Sequence, residues 1–189
     1  LISVPSKDRL VRMLKHILDE TEFLSAHGIR SLSQVHGREP YGIKLNGTYY
    51  SIDYEPGESR SNLFGGNSNW RGPIWFPINY LLIEALERYH HFYGDSLKVE
   101  LPTNSGNWAT LQEVSHELAR RLSTLFTLDA EGQRPCFGKA HPHSKDPHWR
   151  DHILFHEYFH GENGAGLGAS HQTGWTALIT RCLGILGRS

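Results

Sequence analysis

Glu157 is the side chain whose neighbours best equip it for chemistry. It stands in FHEYFHGENGAGLGASHQTGWTA, residues 155–177, between imidazoles and aromatic rings, with glycines following at 161, 164, 166 and 168. A partly desolvated carboxylate takes a proton from water, and rings such as Tyr158 and Phe159 offer flat faces to sugars. A glycine-rich loop lets backbone approach a ligand, or simply another piece of chain. A second loaded stretch is NWRGPIWFPINYLLIEAL, residues 69–86. If the two stretches converge, Trp70, Arg71, Trp75, Glu157 and Trp175 supply flat aromatics, a forked donor and one carboxylate, which are the parts of a carbohydrate cleft.

Positioning those residues falls to helices. In KDRLVRMLKHILDE, residues 7–20, Leu10, Leu14, Ile17 and Leu18 share one face, and Ser6 can cap it. A second helix follows Trp75, with Pro77 in its first turn and Gly94 at its end. Its apolar positions are Ile78, Leu81, Leu82, Ala85, Leu86 and Tyr89. A third is expected from Trp108 to Phe126 on Leu111, Val114, Leu118, Leu122 and Leu125, and a fourth from about Gly174 through Leu186. Asn46-Gly47 between YGIKL and TYYSI predicts a β-hairpin, because both turn residues tolerate positive φ; Asn46-Gly47-Thr48 also fits the glycosylation sequon. Residues 54–73 and 129–150 are polar, turn-rich loops, the first long enough to suggest function.

The chain has 189 residues, 38% hydrophobic and 21% charged, which suits one domain with a real core. A formal net charge of -1 leaves no basic excess for nucleic acid or an anionic membrane surface. No apolar run reaches the roughly 20 residues of a bilayer span. The two cysteines, Cys136 and Cys182, make no disulfide framework. With no signal peptide evident, a cytoplasmic location is expected.

The two loaded stretches resemble glycoside hydrolase family 63, the family of processing α-glucosidase I and its bacterial relatives. The first block matches the family's Trp-Arg-Gly-Pro-Ile-Trp segment followed by Asn-Tyr-Leu. The second, residues 156–178, matches its Glu-bearing segment, Gly-rich turn and Gly-Trp-Thr-Ala helix start, and GIRSLSQ at 28–34 adds weaker support. The family commonly has an aromatic where this chain has Thr173. The resemblance implies a mainly α fold: part of an (α/α)6 toroid, a helical array with long loops and one small β-hairpin. It implies an inverting enzyme for α-linked glucose or mannose, with an Asp as general acid and, by alignment of the second block, Glu157 as general base. Trp70, Arg71, Gly72, Trp75 and Asn79 from the first block, and Tyr158, Gln172 and Trp175 from the second, are then the expected sugar-binding residues.

No segment resembles the surroundings of the family's acid, and four helices fall short of a toroid's twelve. Residues 1–189 are therefore expected to form a single unit, the C-terminal portion of a larger catalytic domain. Its partners would be a carbohydrate substrate and the rest of that parent domain, and alone it would be inactive. Two competing readings remain. His156-Glu157-Tyr158-Phe159-His160 fits H-E-x-x-H, in which two His one helical turn apart hold zinc and the Glu activates water. That motif belongs mid-helix, whereas Gly161 and Gly164 would stop a helix. No third ligand follows, since Asn163 stands at the metzincin glycine position and Glu162 is the only later carboxylate. No metal and no cofactor are expected. The other histidines of the thirteen, His141 and His143 among them, read as loop residues and polar core partners. The second competitor is a non-catalytic carbohydrate-binding module, in which Trp75 plugs a helix start and Arg71 caps a neighbouring helix.

Overall fold

Helix α1 spans Lys7–Ile17, with Ser6 at its N-cap accepting from the Arg9 amide at 3.4 Å. It stops short of residue 20 because Asp19 turns its side chain onto the Thr21 amide at 2.8 Å, a local bond that competes with the helix ladder. The computed structural model describes residues 3–61, 69–138 and 146–187; His141 and His143, and parts of both long loops, lie outside them. Strands β1, Leu24–Ser25, and β2, Gly28–Ile29, form a small antiparallel pair. Strands β3, Tyr41–Leu45, and β4, Thr48–Ile52, form the hairpin expected around Asn46-Gly47. Both turn residues adopt positive φ, 49° and 83°, the type I′ geometry that matches strand twist.

Helix α2, Phe76–Tyr93, has Pro77 in its first turn and Gly94, at φ 58°, at its end. Its buried face differs from the apolar face expected. Phe76, Asn79, Ile83 and Leu86 point inward, whereas Ile78 and Leu81 are exposed. The cause is Asn79, whose amide oxygen accepts from the Ile29 amide at 2.7 Å while its nitrogen donates to the Ile29 carbonyl at 3.0 Å. A buried side-chain amide satisfied on both atoms fixes the helix's rotation, and the apolar residues then fall where they fall.

Strands β5, Lys98–Glu100, and β6, Trp108–Thr110, pair antiparallel ahead of helix α3, Leu111–Ser123. The third helix thus begins later than Trp108. Thr110 and Glu113 make a reciprocal capping box that sets the boundary: the Thr110 amide donates to the Glu113 carboxylate at 2.7 Å, and the Glu113 amide donates to the Thr110 hydroxyl at 3.3 Å. Strands β7, Tyr158–Phe159, and β8, Gly166–Leu167, bracket the glycine-rich loop. The fourth helix is divided into a single turn, α4, Thr173–Thr176, and α5, Ile179–Leu186. The first turn is tied elsewhere, for the Thr176 hydroxyl donates to the His156 carbonyl at 2.5 Å.

The core lies between α2, α3 and α5, with α3 in the middle. Val114, Leu118 and Leu122 of α3 meet Ile83 and Leu86 of α2 and Ile179, Cys182 and Ile185 of α5 in one buried cluster, which Leu10 and Leu14 of α1 join. The fold is mainly helical, with four two-stranded sheets among the described residues. No described helix is long and apolar enough to cross a membrane.

Candidate active site

Backbone pairing brings the two loaded stretches together. The Ile74 and Phe159 amides donate to each other's carbonyls at 2.8 and 2.9 Å, and Arg30 pairs with the other edge of Ile74. Gly161 makes the close approach possible, since a Cβ there would stand 2.5 Å from the Gly72 carbonyl oxygen, and Gly72, at φ 146°, leaves room for the Tyr54 ring, 2.5 Å from where its own Cβ would be. Around this seam the rings gather. Trp75 stacks on Trp70 with centroids 3.9 Å apart and on Tyr158 at 4.8 Å, and meets Trp175 edge-on at 6.3 Å.

Glu157 sits at the border of that stack. Its amide donates to the Ala169 carbonyl at 2.8 Å, and its carbonyl accepts from the Trp175 indole N–H at 3.0 Å. Its carboxylate Oε2 accepts from the Ala169 amide at 3.2 Å. Burial pushes the Tyr158 phenol up to about 12, and the charges of Glu58 and Glu157 add to that shift. Tyr158 is therefore a neutral phenol at ordinary pH, within electrostatic reach of two carboxylates.

The other expected sugar-binding residues divide by exposure. Trp70 and Trp175 are 37% and 36% exposed, and Gln172 is exposed beside Trp175 at the start of α4. Trp75 is only 3% exposed, stands at the N-cap of α2 and donates its indole N–H to the Asn69 carbonyl at 2.9 Å. Arg71 is buried and does not reach a helix end. Its Nη1 donates to Asp53 at 2.9 Å, and its Nη2 donates to Glu55 and to Ser59 and Ser61. The guanidinium thus staples the loop at 53–61 onto the Trp-Arg-Gly-Pro-Ile-Trp block. Asn79 is committed to β2, as described above. An apolar cavity of about 290 Å³ touches Trp75 and Asn79, together with Ile29, Ile78 and Leu82, and Glu157 does not line it.

The helix required by the zinc reading is absent, because Tyr158 and Phe159 are strand. Without a helical turn the two imidazoles are not stacked one above the other, as the motif requires. His160 Nδ1 is also occupied, accepting from the Glu162 amide at 3.1 Å. Among the described residues no group of three or more His, Cys, Asp and Glu side chains is gathered as a metal site.

One cluster was not foreseen. Glu162 receives both Arg30 Nε and Nη2 at 3.1 Å, the Tyr54 hydroxyl and Gln34 Nε2. The cluster ties the glycine-rich loop to the segment after β2. Burial pulls the Glu162 carboxyl up, but hydrogen bonds from Arg30 and Tyr54 and the Arg30 charge outweigh it and hold it below 4.5. A native value below the unfolded one stabilises the fold above pH 4.5, and that contribution is lost as pH falls through the lowered native value. Glu162→Gln is expected to lower the melting temperature at neutral pH and to leave a shallower fall below pH 4.5. Melting curves of both proteins from pH 3 to 7 check this, and parallel curves would refute it.

The family model described as the mannosylglycerate hydrolase MGH1-like glycoside hydrolase domain matches residues 1–176, and the chain belongs to that family. Its likeness to glycoside hydrolase family 63 holds. Among curated proteins it is 50% identical over its whole length to the uncharacterized protein YMR196W of Saccharomyces cerevisiae. It is 26% identical over 93% of its length to the probable mannosyl-oligosaccharide glucosidase of Schizosaccharomyces pombe. It is 30% identical over 66% of its length to the mannosyl-oligosaccharide glucosidase of Saccharomyces cerevisiae. The chain spans only 18%, 15% and 12% of the lengths of these three relatives.

Proposed function

We propose that the chain is the base-bearing, C-terminal part of an (α/α)6 catalytic domain that hydrolyses α-linked glucosides with inversion. The observation that carries the reading is Glu157, held by backbone bonds on both sides at the border of an aromatic stack whose outer members, Trp70 and Trp175, remain partly exposed. The mannosyl-oligosaccharide glucosidases among its relatives support glucose as the sugar removed.

In this mechanism Glu157 takes the proton from a water that attacks the anomeric carbon from the face opposite the leaving oxygen. A second carboxyl group, about 6.5–9.5 Å away to leave room for that water, protonates the departing oxygen. In this reading the acid belongs to the rest of the parent domain, and the 189-residue chain alone lacks turnover. Trp70, Gln172 and Trp175 face the sugar, whereas the Tyr158 side chain is fully buried and supports them through its stack on Trp75. Arg71, Gly72, Trp75 and Asn79 serve the same site from beneath, holding the loop, the seam and the helix that present it.

Stereochemistry tests the reading. Proton NMR of the full-length protein acting on α-linked glucose disaccharides is expected to show β-glucose as the first-formed product. Initial release of α-glucose would mean a double displacement and would remove Glu157 from the general-base role.

A further inference from the structure

The carboxylate of Glu157 lies against backbone, and the contact leaves no space for a side chain. A Cβ built on Gly168 would stand 2.7 Å from Glu157 Oε2, 3.0 Å from its Cβ and 2.8 Å from Cε1 of Tyr158. Gly168 also adopts φ 68°, a conformation that L side chains rarely take. The next residue completes the contact, because the Ala169 amide donates to Oε2 at 3.2 Å while its carbonyl accepts from the Glu157 amide at 2.8 Å. One residue therefore grips both the backbone and the side chain of the same glutamate. The glycine before it removes the only atom that would push the carboxylate away.

We infer that Gly168 and the backbone amide of Ala169 are positioning residues for Glu157, anchoring Oε2 so that the carboxylate is aimed at the attacking water. The inference rests on the general-base reading. A general base acts only within hydrogen-bond reach of its proton, and misplacement by about 1 Å can cost 10²-fold in rate. Gly168 and Ala169 touch neither sugar nor water in this account; they act through Glu157.

The test uses the full-length protein with α-linked glucose disaccharides. Gly168→Ala is expected to lower kcat by about 10²-fold while KM stays within a few-fold, since Trp70 and Trp175 still bind the sugar. Gly106→Ala controls for backbone strain. It too places Ala at positive φ, 78°, but in open space, and it is expected to leave kcat unchanged.

Sodium azide separates a displaced base from a damaged fold. Azide is already an anion, so it forms its C–N bond to the anomeric carbon without surrendering a proton, while the acid protonates the departing oxygen. It is expected to restore turnover, as glycosyl azide, in Gly168→Ala and in Glu157→Ala alike. Should Gly168→Ala accumulate unfolded, Ala169→Pro, which puts a methylene where the donated hydrogen was, is read by the same kcat and azide assays. Normal kcat in the folded glycine variant, or a loss that azide does not rescue while Glu157→Ala is rescued, overturns the inference alone. Normal kcat in Glu157→Ala overturns the general-base reading and the inference with it.

Discussion

Glu157→Gln in the full-length protein is expected to lower kcat by about 10²–10⁴-fold, the usual contribution of a general base. Gln keeps the length and the acceptor oxygen that the Ala169 amide holds, so the glycine-rich loop has no reason to move. What it lacks is the ability to take a proton from water. KM should change little, because the partly exposed indoles of Trp70 and Trp175 do not depend on that charge. Equal falls in kcat and kcat/KM would mark an interaction made in the transition state alone. An enzyme of normal kcat would show that another group serves as base.

The second large effect concerns stability. Arg71→Met is expected to destabilise the chain by about 3 kcal/mol, since removing one partner of a buried ion pair strands the other. Both Arg71 and Glu55 have side chains about nine-tenths buried or more, at 6% and 5% exposure. Glu55 would keep Arg60, whose side chain is 78% exposed and lends little. Asp53, 46% exposed, can turn to water without much cost. Urea unfolding of the two proteins gives the difference directly, and adding Glu55→Gln to Arg71→Met should recover part of it. A loss below about 1 kcal/mol would show that water already reaches this pair.

Local signals were legible where the cause was local. The hairpin followed from Asn46-Gly47, and the ends of α2 from Pro77 and Gly94, because each is a backbone preference of the residue itself. The family likeness was readable from the same two blocks that the seam through Ile74 and Phe159 joins. What could not be read were effects of distant partners. Asn79 rotates α2 by bonding to Ile29, so Ile78 and Leu81 face outward although their spacing is apolar. Trp75 and Arg71 looked like a pair of sugar contacts by residue type. One is sandwiched between rings and the other is committed to Asp53 and Glu55, acidic residues of a loop with no periodicity to flag them. Asn69 does signal its own local structure, for its side chain accepts the Arg71 amide at 3.0 Å in an Asx turn.

The ion pair between Arg30 and Glu162 joins residues 132 positions apart. Closing a loop of that length from a flexible chain costs about 4 kcal/mol in entropy, before any constant for its first contacts. Pairing between α2 and α3, and between α3 and α5, joins elements much nearer in sequence and brings that distance down before the ion pair has to form. On this ground the helices are expected to pair first and the seam last, and amide exchange is expected to be faster at Ile74 and Phe159 than within α3. Helical content alone therefore does not report the seam, and a preparation with a full helical spectrum need not hold it formed.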